Sequence, residues 1–249
     1  MSLPRGAGRL VVVGGWGVPV EMLAGLYEAW PGPVELVSLD DSLVARCNSV
    51  ASVADELLSL YTEPSVWMGW SLGAQVVMEA ACRDTAAVSG VITLAGFPKF
   101  LAGEGWPYGM SAGQFGAFSC GLNSESERYW LRFLLLMING AAEGRGERQR
   151  LQGWLDKGPS VSPDNLIKSL GWLRQADQRS LWSGLGIPAL HVSGERDQLV
   201  SSWAGALETQ PSTIEASIPG MAHWPGGVFA ADCRVVIEAF MQSLMREAL

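Results

Sequence analysis

The chain has 249 residues, of which 48% are hydrophobic and 17% are charged. A disordered chain is excluded, because this much apolar surface collapses into a core, and the length suits one domain. Acidic residues outnumber basic residues by 25 to 17, which gives a net charge of −8 and argues against a nucleic-acid-binding protein, since phosphate contacts need basic surface.

Cysteine spacing and the length of apolar runs narrow the class of protein further. The four cysteines, at positions 47, 82, 120 and 233, and the two histidines show neither a zinc-ligand spacing nor a disulfide framework. We therefore expect no metal and no organic cofactor. The apolar run at residues 10–13 is too short for a signal peptide, and no run reaches membrane-spanning length. These patterns predict a soluble, reduced, cytoplasmic protein without a membrane partner, and we expect a monomer.

Short apolar strands alternate with helical patterns along the chain. Strands are predicted at residues 9–13, 34–39, 65–69, 91–95, 187–193 and 213–218. Helices are predicted at residues 20–30, 50–60, 72–82, 125–139, 144–157 and 229–249, with Ser49 or Ser52 as the cap of the second. Such alternation is typical of an α/β protein with a mostly parallel sheet of about six strands covered on both faces.

The alternation is interrupted once, between the fourth and fifth strands. Residues 99–182 contain no strand pattern, only helical patterns joined by loops rich in Gly, Ser and Pro. We interpret this segment as a helical lid over the carboxyl edge of the sheet. The lid is predicted to be inserted into a single domain whose core comprises residues 1–98 and 183–249.

A candidate nucleophile lies at the end of the third strand. Gly69-Trp70-Ser71-Leu72-Gly73 matches the G-x-S-x-G pattern, in which a serine occupies a strained turn between a strand and a helix. The same pattern occurs around Ser111, but Pro107 and Gly105 precede it and break any buried strand. Ser71 is therefore the candidate, and Ser111 is interpreted as part of a lid loop.

Histidine is the side chain best suited to take a proton from serine near neutral pH. His191 lies within the predicted fifth strand, where a buried core side chain is the simpler interpretation. His223 lies in a loop between the last strand and the last helix. Since loops at the carboxyl ends of parallel strands build the sites of such sheets, His223 is the predicted base.

The base needs a carboxylate that orients the imidazole and balances its charge. Asp197 follows the fifth strand and is the preferred acid, with Glu195 as the alternative. Asp177 is better explained as a local cap or an arginine partner. The order nucleophile, acid, histidine is that of the α/β-hydrolases.

Backbone N–H groups are expected to stabilise the oxyanion that forms when the serine attacks a carbonyl. The N–H of Leu72, at the start of the predicted helix, is one candidate donor, favoured by the helix dipole. The N–H of Trp16, in the glycine-rich loop after the first strand, is the other.

With these residues identified, the sequence looks like an α/β-hydrolase, and more narrowly it resembles the pimeloyl-[acyl-carrier protein] methyl ester esterases of biotin synthesis. The resemblance covers nearly the whole chain, and its lid segments are more specific than the serine motif. It is carried by residues 69–73, Gly15-Trp16-Gly17, Glu104-Gly105-Trp106-Pro107, Arg128, Arg132-Phe133-Leu134, residues 173–179, residues 194–197 and Ala222-His223.

The resemblance implies a role for several residues. It implies a catalytic triad of Ser71, Asp197 and His223. Oxyanion and substrate contacts are implied for Trp16, Trp70, Leu72, Phe118 and Leu122, with the stretch from Phe118 to Leu122 lining the acyl pocket. Arg128 and Arg132, four residues apart on one helix face, are implied to contact the acyl carrier protein or its phosphopantetheine phosphate. A solvated helix face is the alternative for this arginine pair.

Three features depart from the family pattern. Gly14 stands where the family usually has histidine, although a backbone donor does not need that side chain. Fewer than ten residues precede the first strand, so the family's leading hairpin is predicted to be absent. Two further basic residues expected upstream of Phe118 are not evident.

The function predicted from the sequence is that of a serine carboxylesterase. It would hydrolyse the methyl ester of pimeloyl-acyl carrier protein through an acyl-enzyme. Three alternatives remain open: a promiscuous short-acyl esterase or thioesterase, a lyase of menaquinone synthesis that uses the same triad as a base, and a non-catalytic binding module.

Overall fold

A computed structural model describes residues 8–247, with side chains described through residue 244. The prediction about a leading hairpin and the last two residues of the predicted C-terminal helix lie outside this range. None of the helices in residues 8–247 combines the length and the apolar character needed to cross a membrane.

Six parallel strands form one sheet in the order β2-β1-β3-β4-β5-β6, which confirms the predicted fold class. The central strands are buried because helices cover both faces, and this explains their continuous apolar sequences. The strands are β1 (Arg9–Val13), β2 (Val34–Val37), β3 (Ser65–Trp70), β4 (Val88–Leu94), β5 (Ala189–Gly194) and β6 (Thr213–Ile218).

Helices of the sheet layer lie close to their predicted positions, except that α2 was not predicted and the first helix is shorter than predicted. The predicted helix at residues 20–30 is a 3-10 turn (Val20–Leu23) followed by one α-helical turn, because Leu23 leaves helical geometry at φ −100° and ψ 7°. Ser49 caps α3 by accepting from the N–H of Ser52. The helices are α1 (Ala24–Tyr27), α2 (Asp41–Arg46), α3 (Val50–Leu60), α4 (Leu72–Arg83) and α10 (Ala230–Glu247).

Between β4 and β5 the chain forms five helices, two of which, α6 and α7, were predicted from the sequence. Ser111 was predicted to lie in a loop. It is instead the N-cap of α5, where it accepts from the N–H of Gln114 in a capping box. The helices are α5 (Ala112–Ser124), α6 (Ser126–Met137), α7 (Gly144–Leu155), α8 (Pro163–Gln175) and α9 (Arg179–Ser183). We call α5–α8 the inserted helices.

The inserted helices pack against loops at the carboxyl edge of the sheet. Trp16, in the loop after β1, contacts the rings of Phe118 on α5 and Phe133 on α6. Lys168 on α8 donates to the backbone carbonyls of Val44 and Ala45 near the end of α2. This packing puts α5, α6 and α8 beside the strand ends at which the candidate residues lie; the division into a core and a lid stays a prediction.

Candidate active site

The turn between β3 and α4 holds Ser71 in an unusual backbone conformation. Its φ of 55° and ψ of −115° lie in a region that residues other than glycine rarely adopt. A Cβ atom at Gly69 would lie 2.3 Å from the carbonyl oxygen of Gly73, and a Cβ atom at Gly73 would lie 2.4 Å from that of Val13. The two glycines of the motif are therefore required because backbone occupies the space of their side chains.

His223 joins the serine to an acidic residue. Its Nε2 atom lies 2.9 Å from Oγ of Ser71, and its Nδ1 atom lies 2.7 Å from Oδ2 of Asp197. All three side chains are almost completely buried. Because a carboxylate accepts, Nδ1 carries the hydrogen and Nε2 is free to accept from the serine hydroxyl.

A tight turn after β5 orients the Asp197 carboxylate. Its other oxygen, Oδ1, accepts from the backbone N–H groups of Leu199 and Val200 at 2.9 and 3.0 Å. Glu195, the alternative acid, is exposed and accepts instead from the N–H of Gly220 at 3.0 Å. Of the two acids after β5, only Asp197 contacts the imidazole.

The loop that carries His223 is anchored by groups that sequence reasoning missed. The N–H groups of His223 and Trp224 both donate to the carbonyl of Met137, at the end of α6. The His223 carbonyl accepts from the indole N–H of Trp70 at 3.0 Å. Trp70, predicted among the substrate contacts, is fully buried and supports the histidine loop. The position of Trp70 directly before the serine was the one signal in the sequence that it belongs to the site.

Two backbone N–H groups, those of Trp16 and Leu72, are candidate oxyanion donors. The N–H groups of Trp16 and Leu72 have no hydrogen-bond acceptor within residues 8–247. The loop after β1 touches the start of α4, since a Cβ atom at Gly73 would lie 2.5 Å from the Gly14 carbonyl oxygen. Leu72 is the first residue of α4, where the helix dipole favours a negative charge. The arrangement is therefore suited to bind an oxyanion formed at Ser71.

An apolar pocket lies between the Trp16 loop and the inserted helices. Its volume is about 30 Å³, far below the roughly 300–1,000 Å³ typical of ligand pockets, so an acyl chain would have to displace the lining side chains to enter. Leu122, predicted to line it with Phe118, lies one helical turn beyond Phe118 and is fully buried in the core instead. The lining residues are Trp16, Phe100, Met110, Phe115, Phe118, Phe133, Leu136, Leu170, Leu173 and Leu199.

The two arginines predicted to contact a partner are exposed on α6. Arg128 forms an ion pair with Glu125 at 2.9 Å, three residues before it. The guanidinium of Arg132 lies 5.8 Å from the ring centre of Tyr129. Both charged groups are accessible to a partner, and the geometry is also that of a solvated helix face.

The remaining titratable candidates have local roles. His191 on β5 lies 2.8 Å from the Thr93 hydroxyl and stacks on Trp182, and burial lowers its pKa to about 3, so it is neutral. Asp177 forms ion pairs with Arg179 and Lys99, which hold its pKa well below its usual value. This agrees with its interpretation as an arginine partner.

One buried acid near the site has no counterpart in the sequence prediction. Glu147 on α7 is buried, and its Oε1 atom accepts from the N–H of Val228, five residues after His223. Its Oε2 atom has no hydrogen-bond partner within residues 8–247. Burial raises the pKa of this carboxyl, although the Val228 hydrogen bond and Arg150 oppose the shift. Within the same residues, no group of three His, Cys, Asp or Glu side chains is placed to hold a metal ion.

No family model matches the chain, but curated proteins resemble it over most of its length. It is 31% identical over 229 residues to a pimeloyl-[acyl-carrier protein] methyl ester esterase from Edwardsiella ictaluri, covering 88% of each chain. Proteins of the same name from Serratia marcescens and Methylococcus capsulatus are 28% and 32% identical, covering 96% and 77% of each chain.

Solved structures share the fold at lower sequence identity. A hydrolase from Oleispira antarctica superposes with a TM-score of 0.77 at 15% identity, covering 95% of this chain and 92% of that one. An esterase from Rhodococcus sp. gives a TM-score of 0.71 at 22% identity, with coverages of 98% and 93%. At these identities the likeness shows the α/β-hydrolase fold alone.

Proposed function

The chain belongs to the family of pimeloyl-[acyl-carrier protein] methyl ester esterases, and from this premise we propose that it cleaves the methyl ester of a pimeloyl group on acyl carrier protein, with Ser71 as nucleophile. It is a carboxylic ester hydrolase. The observation that carries the proposal is the bridge from Ser71 through His223 to Asp197, with distances of 2.9 and 2.7 Å. Such a bridge turns a weakly nucleophilic hydroxyl into one that can attack an ester.

In the first half of the reaction, Oγ of Ser71 attacks the ester carbonyl carbon while Nε2 of His223 takes the hydroxyl proton. Asp197 stabilises the resulting imidazolium. The tetrahedral oxyanion accepts from the N–H groups of Trp16 and Leu72, and loss of one such donor typically costs about 10²- to 10³-fold in kcat. His223 then protonates the methoxy oxygen, methanol leaves, and an acyl-enzyme remains.

In the second half, His223 removes a proton from water as the water attacks the acyl-enzyme carbonyl. Collapse of the second tetrahedral intermediate returns the proton to Ser71 and releases the free carboxylate. The same two backbone donors serve both halves, because the oxyanion forms at the same position each time.

The pocket beside Trp16 suits methylene groups once an acyl chain opens it. Its ten lining residues are all apolar, so each CH₂ group buried there contributes about 0.8 kcal/mol of binding free energy. The ester group itself would lie outside this pocket, at Ser71 and the two backbone donors.

Charge on the inserted helices supports a carrier protein as the partner. Residues 125–157 hold six basic and five acidic residues, whereas the rest of the chain holds 11 basic and 20 acidic residues. Arg128 and Arg132 on α6 and Arg148 on α7 are exposed. Arginine binds phosphate well, and we propose that this surface contacts the phosphopantetheine phosphate or acidic side chains of the carrier.

Complementation of a strain blocked at pimeloyl ester cleavage tests the proposal. Wild type should restore growth, and Ser71→Ala should fail because no nucleophile remains. Ser111→Ala is the matched control, since it removes the serine of the other G-x-S-x-G match and should restore growth.

Assays with purified protein distinguish the proposed function from the alternative activities. Catalytic efficiency should be higher on the carrier-bound methyl ester than on free short esters, and added salt should reduce only this advantage. Equal efficiency on both would contradict the carrier assignment and favour a promiscuous esterase. Turnover without labelling by a fluorophosphonate would exclude the acyl-enzyme and favour a reaction in which the triad acts as a base.

A further inference from the structure

Two indole hydrogen bonds cross between the loop after β1 and the inserted helices. Trp130 on α6 donates to the carbonyl of Gly17 at 2.6 Å. In the opposite direction, Trp16 donates from its indole to the carbonyl of Leu166 on α8 at 3.1 Å. Both bonds are buried and join residues more than 110 positions apart, so they are tertiary links.

The inserted helices also restrict the space around this loop. Gly17 has a φ of +64°, and a Cβ atom there would lie 2.7 Å from Cδ2 of Leu166 and 3.3 Å from Cδ1 of Trp130. The Trp16 ring meets Phe133 edge-on at 4.9 Å. The backbone at residues 16 and 17 is therefore shaped by side chains of α6 and α8.

Contacts with the sheet layer hold the earlier part of the loop. The Gly14 N–H donates to the Val37 carbonyl at 2.9 Å, and Gly15 packs against the Trp70 ring. The hydrogen bonds made by the Trp16 indole and the Gly17 carbonyl go to α8 and α6 instead. Trp16, which carries the candidate oxyanion donor, thus lies between the part of the loop that the sheet layer holds and the part that the inserted helices hold.

Helix α6 touches the histidine loop as well. The carbonyl of Met137 accepts from the N–H groups of His223 and Trp224, and Met137 lies seven residues after Trp130. Seven residues span about 10 Å along a helix. One helix thus connects the loop of the candidate oxyanion donor to the loop of the candidate base.

From these contacts we propose that Trp130 is a positioning residue for the oxyanion hole. Its indole N–H fixes the Gly17 carbonyl and with it the loop that aims the Trp16 N–H at the reacting carbonyl. This inference rests on the proposed function, because it needs an oxyanion to form at Ser71. It gives α6 a role in the chemical step in addition to covering an acyl pocket.

The test compares Trp130→Phe with Trp106→Phe. Both variants remove a buried indole N–H that donates to a backbone carbonyl, but the bond from Trp106 goes to Lys99, within the same segment of the chain. A short p-nitrophenyl ester serves as substrate, so that carrier binding plays no part. Titration with a fluorophosphonate counts active sites, and kcat is expressed per titrated site.

For Trp130→Phe we expect kcat to fall about 10- to 100-fold with KM changed less than about twofold, because a misplaced donor weakens transition-state binding. Affinity for a trifluoromethyl ketone, whose adduct with Ser71 carries an oxyanion, should fall by a similar factor. Trp106→Phe should leave both quantities within about twofold of wild type. A change confined to thermal stability would indicate a structural role only and would overturn the proposal.

A second variant keeps the idea testable if Trp130→Phe does not fold. Trp16→Phe retains the backbone N–H and removes the indole bond to Leu166 together with part of the ring that packs against Phe118 and Phe133, so kcat and ketone affinity should again fall together. Unchanged values would overturn the inference. Failure of the serine-esterase chemistry is recognised separately, because wild type would then neither hydrolyse the ester nor react with the fluorophosphonate, and failure of the carrier assignment alone would leave this comparison on a short ester unaffected.

Discussion

The turn that holds Ser71 and the inserted helices are specified by different kinds of interaction. In the turn, backbone atoms leave no room for side chains, with a Cβ atom at Gly69 only 2.3 Å from a carbonyl oxygen. In α5, by contrast, a Cβ atom at Gly113 or Gly116 would meet nothing within 4 Å. The turn is fixed by short-range sterics that a motif captures, whereas the helices are fixed by long-range packing.

This difference explains why the reaction type is easier to infer than the substrate. The triad side chains lie on loops at the carboxyl ends of strands, where parallel sheets build their sites, so predicting the strands also locates these side chains. The acyl pocket is instead lined by residues from positions 16 to 199, brought together only by the tertiary fold. Comparing matched substitutions in the serine turn and in the inserted helices tests whether local sterics fix the turn and long-range packing fixes the helices.

The largest effect is expected at Asp197. In Asp197→Asn, Oδ1 can still accept from Leu199 and Val200, but the new NH₂ group faces Nδ1 of His223. The imidazole is then held in the tautomer whose Nε2 carries hydrogen and cannot accept from Ser71. We expect kcat to fall about 10⁴-fold with little change in KM, measured on a short p-nitrophenyl ester.

Glu195→Gln is the matched control for Asp197→Asn. The glutamine oxygen can still accept from the Gly220 N–H, so activity should stay within about twofold of wild type. A loss at Glu195 as large as that at Asp197 would mean that the acid has been assigned to the wrong residue.

Paired glycine substitutions compare the two G-x-S-x-G segments directly. In Gly73→Ala the new Cβ atom would lie 2.4 and 2.5 Å from the carbonyl oxygens of Val13 and Gly14. Because these are backbone atoms, we expect a loss of about 3 kcal/mol in the free energy of unfolding, together with displacement of the Trp16 loop and loss of activity. Urea unfolding and ester hydrolysis measure the two effects.

The corresponding change in the other segment should have the opposite sign. Gly113→Ala lies in α5 with open space around its Cβ position, so it should raise the free energy of unfolding by about 0.5–1 kcal/mol. If the two variants behave alike, local sterics do not distinguish the segments, and the steric explanation of the serine turn is wrong.

The sequence predicts the sheet and the serine turn better than the inserted helices, for physical reasons. The β-branched run of β1 is typical of a buried strand and of little else. The bounds of α3 and β6 match the prediction because clear caps and turns enclose them. Helix α5 was missed because three glycines interrupt its apolar spacing. Helix α8 is not predicted either, because Pro163 at its first turn is a residue that is also typical of loops.

The supporting contacts of the site were beyond sequence reasoning for another reason. The bonds from Trp130 to Gly17 and from His223 to Met137 join distant residues through atoms that every sequence contains, namely backbone carbonyls. No spacing rule identifies which carbonyl a buried indole will find, since tertiary packing decides it. The catalytic roles of Trp16 and Leu72 stay predictions, supported by their free N–H groups.

A smaller effect is expected at Glu147, where α7 of the inserted helices meets the segment after His223. Burial raises the pKa of this carboxyl in the folded state, so the folded protein binds its proton more tightly than the unfolded chain. By linkage, the contribution of Glu147 to stability is greatest at low pH and declines as pH rises through the raised folded pKa. Glu147→Gln keeps an acceptor for the Val228 N–H and removes the charge, so it should be more stable than wild type at pH 8.

Urea unfolding at pH 5 and pH 8 measures this dependence. The advantage of Glu147→Gln over wild type should shrink as pH falls, because the raised pKa lets the folded wild type take up this proton before the unfolded chain does. Glu104→Gln, at an exposed position between β4 and α5, is the control for loss of a surface charge and should change the free energy of unfolding by less than about 0.5 kcal/mol. An advantage that is equal at both pH values would mean that Glu147 does not change protonation across this range. In that case the contact between α7 and the segment after His223 depends on packing and on the Val228 hydrogen bond, not on the charge of Glu147.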